Sequence, residues 1–182
     1  MPISNNDFDG ATSWSASCNG EHYWVLLLLG SKDYYTFVDN YIHSASGRAP
    51  HMGTDQNNAQ ILFHGVNNYF KDIGGHAFDI DIGTSVLLEG NYFDAVTTPI
   101  TSDSLTKSNL YSVVTVDDAS GCTASLGYIC EWNCLAGSGS FPSSTNSTAL
   151  SNLAPYKSSL VGHIGVADVP ASVLANAGVG KI

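Results

Sequence analysis

Positive charge is nearly missing from this sequence. Arg48 is its only arginine, and with five lysines it faces sixteen acidic residues, for a net charge of −10. Six cations cannot neutralise a run of phosphates, and the chain's own field repels them, which argues against nucleic acid as a partner. Charged residues of either sign make up only 12% of the chain, whereas glycine, serine, threonine and asparagine are plentiful. Small polar residues and glycine serve tight turns rather than helix surfaces, so the composition points to an all-β protein. The run "WVLLLLG" at 24–30 is far too short to span a bilayer, and no membrane association is expected. The six histidines show no metal-ligand spacing, and nucleophile-elbow, phosphate-loop and C-x-x-C motifs are all missing.

With 182 residues and 43% hydrophobic content, the chain can bury the core of one domain. Four cysteines and one glycosylation sequon, Asn146-Ser147-Thr148, hint at an oxidising compartment. The first residues, "MPISNNDFDG", carry no basic stretch followed by an apolar run, so a signal peptide is not visible. The two observations pull apart. Either the cysteines are incidental to an intracellular protein, or the sequence starts after its natural beginning.

A repeat organises the first hundred residues. It reads "ISNNDFDG" at 3–10, "FVDNYIHS" at 37–44, "GVNNYFKDI" at 65–73 and "LEGNYFDAV" at 88–96, with asparagines at 6, 40, 68 and 91. Short alternating runs such as "AQILFHGV" and "HAFDIDI" surround them, without intervening helices. This pattern predicts a parallel β-helix, in which each coil supplies a few inward residues and stacked coils share one core. The repeated asparagine is expected to take the left-handed backbone of a bend and to hydrogen-bond its equivalent one coil away. The aromatics after it are expected to stack. A meandering β-sandwich is the alternative, because the spacing is unequal. Residues 101–121 and 137–159 read as an irregular surface tail, and "PASVLANAG" at 170–178 predicts a short helix with proline at its start.

Taken together, "CNGEHYW" at 18–24, "SGRAP" at 46–50, "NNYFKDIGGHAFDI" at 67–80 and "VLLEGNYFDAV" at 86–96 resemble the C-terminal half of the fungal and oomycete pectin lyases, in the pectate lyase superfamily (polysaccharide lyase family 1). In the tail the resemblance rests on Cys122, Cys130 and "NAGVGKI". It implies an all-β, right-handed, single-stranded parallel β-helix: the last coils over residues 1–100, and an irregular C-terminal tail over 101–182 packing on them within one domain. It further implies a secreted enzyme, monomeric at full length, that cleaves methyl-esterified homogalacturonan (pectin) by β-elimination without cofactor or metal. The family carries upstream coils with an acidic and a second basic residue, so a truncated chain with weak or no turnover is expected. A non-catalytic galacturonan-binding fragment and a Ca²⁺-dependent pectate lyase relative are the alternatives. Against calcium, Asp7, Asp9, Asp33 and Asp39 match no calcium-loop spacing, and Gly53 stands where pectate lyases tend to have a second arginine.

The same resemblance assigns residues. Arg48, in Ser46-Gly47-Arg48-Ala49-Pro50, takes the position of the base that removes the acidic C5 proton of an esterified uronate. An arginine is ordinarily a surface cation paired with an acid, and its pKa above about 12 makes it a poor base in water; the role requires desolvation or neighbouring charge. His22, Tyr23 and Trp24 match the family's "HYW" cleft motif. Trp14 is a further candidate for a sugar face, with core packing as its alternative. Cys122 and Cys130 stand at the family's tail-disulfide spacing. Cys18 normally bonds an upstream cysteine, and Cys134 has no counterpart, which leaves a Cys18–Cys134 bond open. Asn146 is the glycosylation candidate.

Overall fold

The computed structural model describes residues 1–54 and 59–181. The chain winds through successive coils, each passing from one sheet across a sharp bend to a second sheet. The first coil comprises β1 (Pro2–Ser4), β2 (Asp7–Asp9) and, after a long loop, β3 (Leu27–Leu28). The second repeats the pattern with β4 (Lys32–Val38), β5 (Tyr41–Ala45) and β6 (His51–Met52). The next two carry β7 (Gln60–Val66) with β8 (Tyr69–Ile80), and β9 (Thr84–Glu89) with β10 (Tyr92–Ile100). A further pass places β11 (Asn109–Ser112) and β12 (Cys134–Ala136) on the same two sheets, and β13 (Ser144–Thr145) closes the first sheet. The first sheet runs β1-β4-β7-β9-β11-β13 and the second β12-β10-β8-β5-β2, while β3, β6 and the end of β8 form a short third strip. All named strand pairs are parallel except β11–β13. This is a right-handed parallel β-helix with an irregular, partly helical tail.

The bend between the first two sheets is held by an asparagine ladder. The backbone and side-chain amides of Asn40 both donate to Asn68 Oδ1, at 3.1 and 3.0 Å, and those of Asn68 donate to Asn91 Oδ1 at 3.1 and 2.9 Å. Asn6 does the same to Asn40 at the lower end. The ladder has a rung that the repeat did not contain: Asn91 donates to Asn133 Oδ1 at 3.0 and 2.9 Å, from a residue 42 positions further on. Whereas the sequence reading starts the tail at residue 101, parallel pairing continues to Ala136. The left-handed backbone is one position earlier than expected. Asn5, Asp39, Asn67 and Gly90, with φ between 54° and 59°, make the turn, which frees each following asparagine to face inward and bond along the stack.

Aromatic stacking follows the ladder as expected. Tyr41 and Tyr69 stack at 5.3 Å outside the coil, and Phe70 and Phe93 stack at 4.8 Å within it. Phe37, Phe63 and Phe78 complete the coil interior. A second core lies outside the first sheet, where Leu87, Tyr111 and Val113 meet the tail helices α2 (Val116–Leu126) and α3 (Ser147–Leu153); α1 (Ser104–Lys107) precedes β11. Thr115 and Asp118 form a capping box at the start of α2. The Cys122–Cys130 disulfide then ties its end to the following loop, while Cys18 and Cys134 remain free thiols. At the centre of this junction Glu89, fully buried, accepts from Tyr128 Oη at 2.6 Å and pairs with His64 Nε2 at 2.8 Å. A helix forms where the sequence reading places one, as α4 (Val169–Asn176), with Pro170 in its first turn. It covers Tyr69 of the second sheet.

Candidate active site around Arg48

Arg48 sits on the turn that joins the second sheet to the short third strip, between β5 and β6. Its φ is 44°, and the next peptide, Ala49–Pro50, is cis. Both ends of the turn are bound to neighbouring coils. Arg48 O accepts from Leu26 N at 3.0 Å, Ala49 N donates to Ala77 O at 3.0 Å, and Pro50 O accepts from Asp79 N at 3.0 Å. These bonds fix the arginine between the long loop of the coil before it and β8 of the coil after it. A side chain on Gly75 would stand 2.1 Å from Ser46 O, so glycine is what lets β8 approach the turn this closely.

The guanidinium is one-third exposed and lies over the Tyr23 ring, 5.6 Å from its centroid. Its Nε faces Asp79 Oδ2 at 3.7 Å, too far for a hydrogen bond, and is buried without a partner. His51 takes the same carboxylate oxygen at 2.8 Å. His76 stands 3.8 Å from it, edge-on to Tyr23 at 5.6 Å. Burial holds the His76 imidazole below its ordinary pKa; Asp79 opposes this, while Arg48 and His51 add to it. Tyr23 in turn meets Trp24 edge-to-face at 5.4 Å. The absence of a side chain on Gly47 makes room for Tyr23, since a Cβ there would lie 2.7 Å from the ring. The result is a solvent-facing patch with one cation, one carboxylate, two imidazoles and two aromatic rings.

The sequence candidates are placed unequally. Arg48, Tyr23 and Trp24 come together, with Trp24 55% exposed. His22 joins through its backbone, accepting from Ser46 N at 2.9 Å, while its side chain faces solvent. Trp14 is 88% exposed on the loop closed by the Ala11–Glu21 bridge, and is not part of the core. Asn146 caps α3 by accepting from Thr148 N at 3.0 Å, and lies far along the chain from this patch. Sequence reasoning missed His51, His76 and Asp79. The signal was present: Asn40 and Asn68 are 28 residues apart, and the same step carries His51 to Asp79 and Arg48 to His76. Applying the coil period to the turn would have named all three. Among the described residues, no group of three or more His, Cys, Asp or Glu side chains is arranged to hold a metal ion.

No family model matches the chain. It is 63% identical over 183 aligned residues to a probable pectin lyase F-1 of Aspergillus terreus, and equally to a probable pectin lyase F of Neosartorya fischeri. A probable pectin lyase F of Aspergillus flavus is 42% identical over 182 residues. These alignments cover 100% of this chain and 47%, 47% and 40% of the respective relatives. The chain thus spans about half the length of the curated relatives it matches, or less. Among solved structures, a pectate lyase from Xanthomonas campestris superposes with a TM-score of 0.50 at 15% identity, covering 99% of this chain and 60% of that one. At such low identity the likeness concerns the fold alone.

Proposed function

We propose that this chain, which belongs to the pectin lyase family, carries part of a cleft for eliminative cleavage of methyl-esterified (1→4)-α-D-galacturonan. In this reading Arg48 takes the C5 proton, which the neighbouring ester carbonyl makes acidic. The C5–H electron pair becomes the C4=C5 double bond, the C4–O bond breaks, and the departing sugar oxygen takes up a proton. Tyr23 and Trp24, with the backbone of His22 held beside them, offer apolar faces to the pyranose rings, and Trp14 on its exposed loop is a further candidate for a sugar face.

The observation that carries the reading is the state of the lone arginine. Its Nε is buried beside Tyr23 and makes no hydrogen bond: Asp79 Oδ2, which pairs with His51 Nδ1 at 2.8 Å, lies 3.7 Å away. A guanidinium that is one-third exposed at the patch surface and free of a hydrogen bond at Nε is within reach of a substrate proton. The charge balance agrees with it: a protein of net charge −10 approaches a neutral ester without penalty, whereas free pectate is a polyanion. Secretion, glycosylation at Asn146, absence of a cofactor and a monomeric state belong to the same proposal. So does low turnover by this chain alone, given the share of the relatives that it spans.

Incubation with highly methylated pectin tests it by the ultraviolet absorbance of 4,5-unsaturated ends. Arg48→Ala is expected to abolish the absorbance increase while pectin affinity stays nearly unchanged, and Trp24→Ala to weaken affinity. Because low turnover is part of the proposal, the assay runs at high chain concentration, and pectin binding with no absorbance increase even there would favour a binding-only role. Undiminished elimination in Arg48→Ala would refute the assignment of the base.

A further inference from the structure

The outer face of the first sheet carries a second place where side chains converge. Tyr34, Leu62, Ser85 and Asn109 are successive register partners across β4, β7, β9 and β11. At about 4.8 Å between strands the row extends roughly 14 Å. Further along the same face the tail packs directly on the sheet, burying Leu87 and Tyr111. Over this row it arches instead. Asn152 Nδ2 donates to Ser85 Oγ at 2.9 Å, and the Tyr156 hydroxyl donates to that of Tyr34 at 3.3 Å. Between these struts lies a cavity of about 330 Å³, open to solvent.

Its chemistry is selective. Among the described residues no charged side chain lines it, in a molecule of net charge −10. Among those residues an anion finds no cation and a metal ion no carboxylate, and a hydrocarbon would leave unmet the Gln60 amide and the second amide protons of Asn109 and Asn152, whose Nδ2 atoms already donate to Ser85 Oγ at 3.3 and 2.9 Å. Those amides offer both donors and acceptors at fixed positions. Tyr34 and Tyr156 stand with centroids 5.0 Å apart and planes tilted by 44°, each more than one-third exposed. Flat apolar rings beside neutral hydrogen-bonding groups suit a ligand with C–H faces and many hydroxyls. The volume is at the small end of ligand sites, which run from about 300 to 1,000 Å³.

We propose that this groove binds a short neutral oligosaccharide of about two sugar units, independently of the Arg48 patch, which lies at the junction of the other strips. Two sources supply that chemistry. One is a free glycan. The other is a glycan carried by the chain itself, because Asn146 of the sequon donates through Nδ2 to Asn109 Oδ1 at 3.3 Å, at one end of the row.

The test uses unglycosylated 182-residue chain, titrated with cellotriose, chitotriose and fully methyl-esterified trigalacturonate while backbone amide shifts are followed. Shifts centred on Ser85, Asn109 and Asn152 are expected, with millimolar affinity for at least one sugar. Tyr156→Ala and Tyr34→Leu, both at exposed positions, should each weaken that affinity about tenfold, and Arg48→Ala should leave it within about twofold. Chain glycosylated at Asn146 separates the sources: a bound attached glycan shifts the same amides and blocks the free sugar, whereas an unbound one leaves the titration unchanged. The proposal is overturned if none of the three sugars, at up to about 20 mM, and no attached glycan moves these amides, or if neither tyrosine variant changes the affinity. Because the Arg48 variant retains the groove, loss of pectin cleavage and loss of groove binding are read separately.

Discussion

Replacing Asn68 with alanine tests the ladder where it is most enclosed. Asn68 is fully buried. Its Oδ1 accepts from both amides of Asn40, and its Nδ2 donates to Phe37 O, Val66 O and Asn91 Oδ1 at 2.8, 3.1 and 2.9 Å. Val66 O keeps a second donor in Asp39 N, and Asn40 Nδ2 keeps Ile3 O, so those groups lose a bond without being orphaned. The Asn40 backbone N–H loses its acceptor outright. A buried unsatisfied amide costs about 1–3 kcal/mol and each further lost bond about 1 kcal/mol, giving a loss of about 3–5 kcal/mol. For a domain of this size that corresponds to a fall of roughly 10 °C in Tm. Asn6, the exposed end rung, should cost only about 0.5–1 kcal/mol when replaced by alanine. Urea unfolding of the two variants against the parent measures the contrast. Equal losses, within about 0.5 kcal/mol, would show that ladder bonds are worth the same wherever they lie and would refute the argument from burial.

Three more outcomes follow from other parts of the fold. Removing the tail disulfide by Cys122→Ala with Cys130→Ala should cost about 2.5 kcal/mol from the entropy of its short loop, whereas Cys18→Ala should cost almost nothing in the same urea titration. His76 is held below its ordinary pKa, so the unfolded chain takes up a proton first as pH falls below about 6.5. The His76 contribution to stability should therefore decline from that point down to the lower folded value and level off beneath it; His76→Gln, followed by unfolding between pH 7 and 5, should remove this part of the decline. Gly47→Ala should push the Tyr23 ring off the guanidinium and weaken pectin binding about tenfold while changing stability by less than about 1 kcal/mol; unchanged binding would mean that the ring's position is immaterial.

Much of this was legible in the chain. The asparagine-aromatic repeat announced stacked coils, because each coil must present the same bend and the same inward residues to its neighbours. One detail was displaced by a residue. A ladder asparagine must face inward, so the left-handed turn falls on Asn5, Asp39, Asn67 or Gly90 before it. Asn133 escaped because α1, β11 and α2 stretch the last step to 42 residues, and a repeat broken by insertions no longer looks periodic.

The residue types alone determined a β-rich, charge-poor, turn-rich protein with one arginine on a bend, since composition and local pattern govern backbone preference. Which groups surround that arginine was decided by register. Asp79 and His51 meet because parallel strands pair residues one coil apart, and the Tyr34–Asn109 row exists because four coils stack in step. Even the use of Asn146, as a helix cap beside Asn109, depends on where the tail folds back. Contacts across a coil join residues distant along the chain, and only the closed stack brings their side chains within a few ångströms.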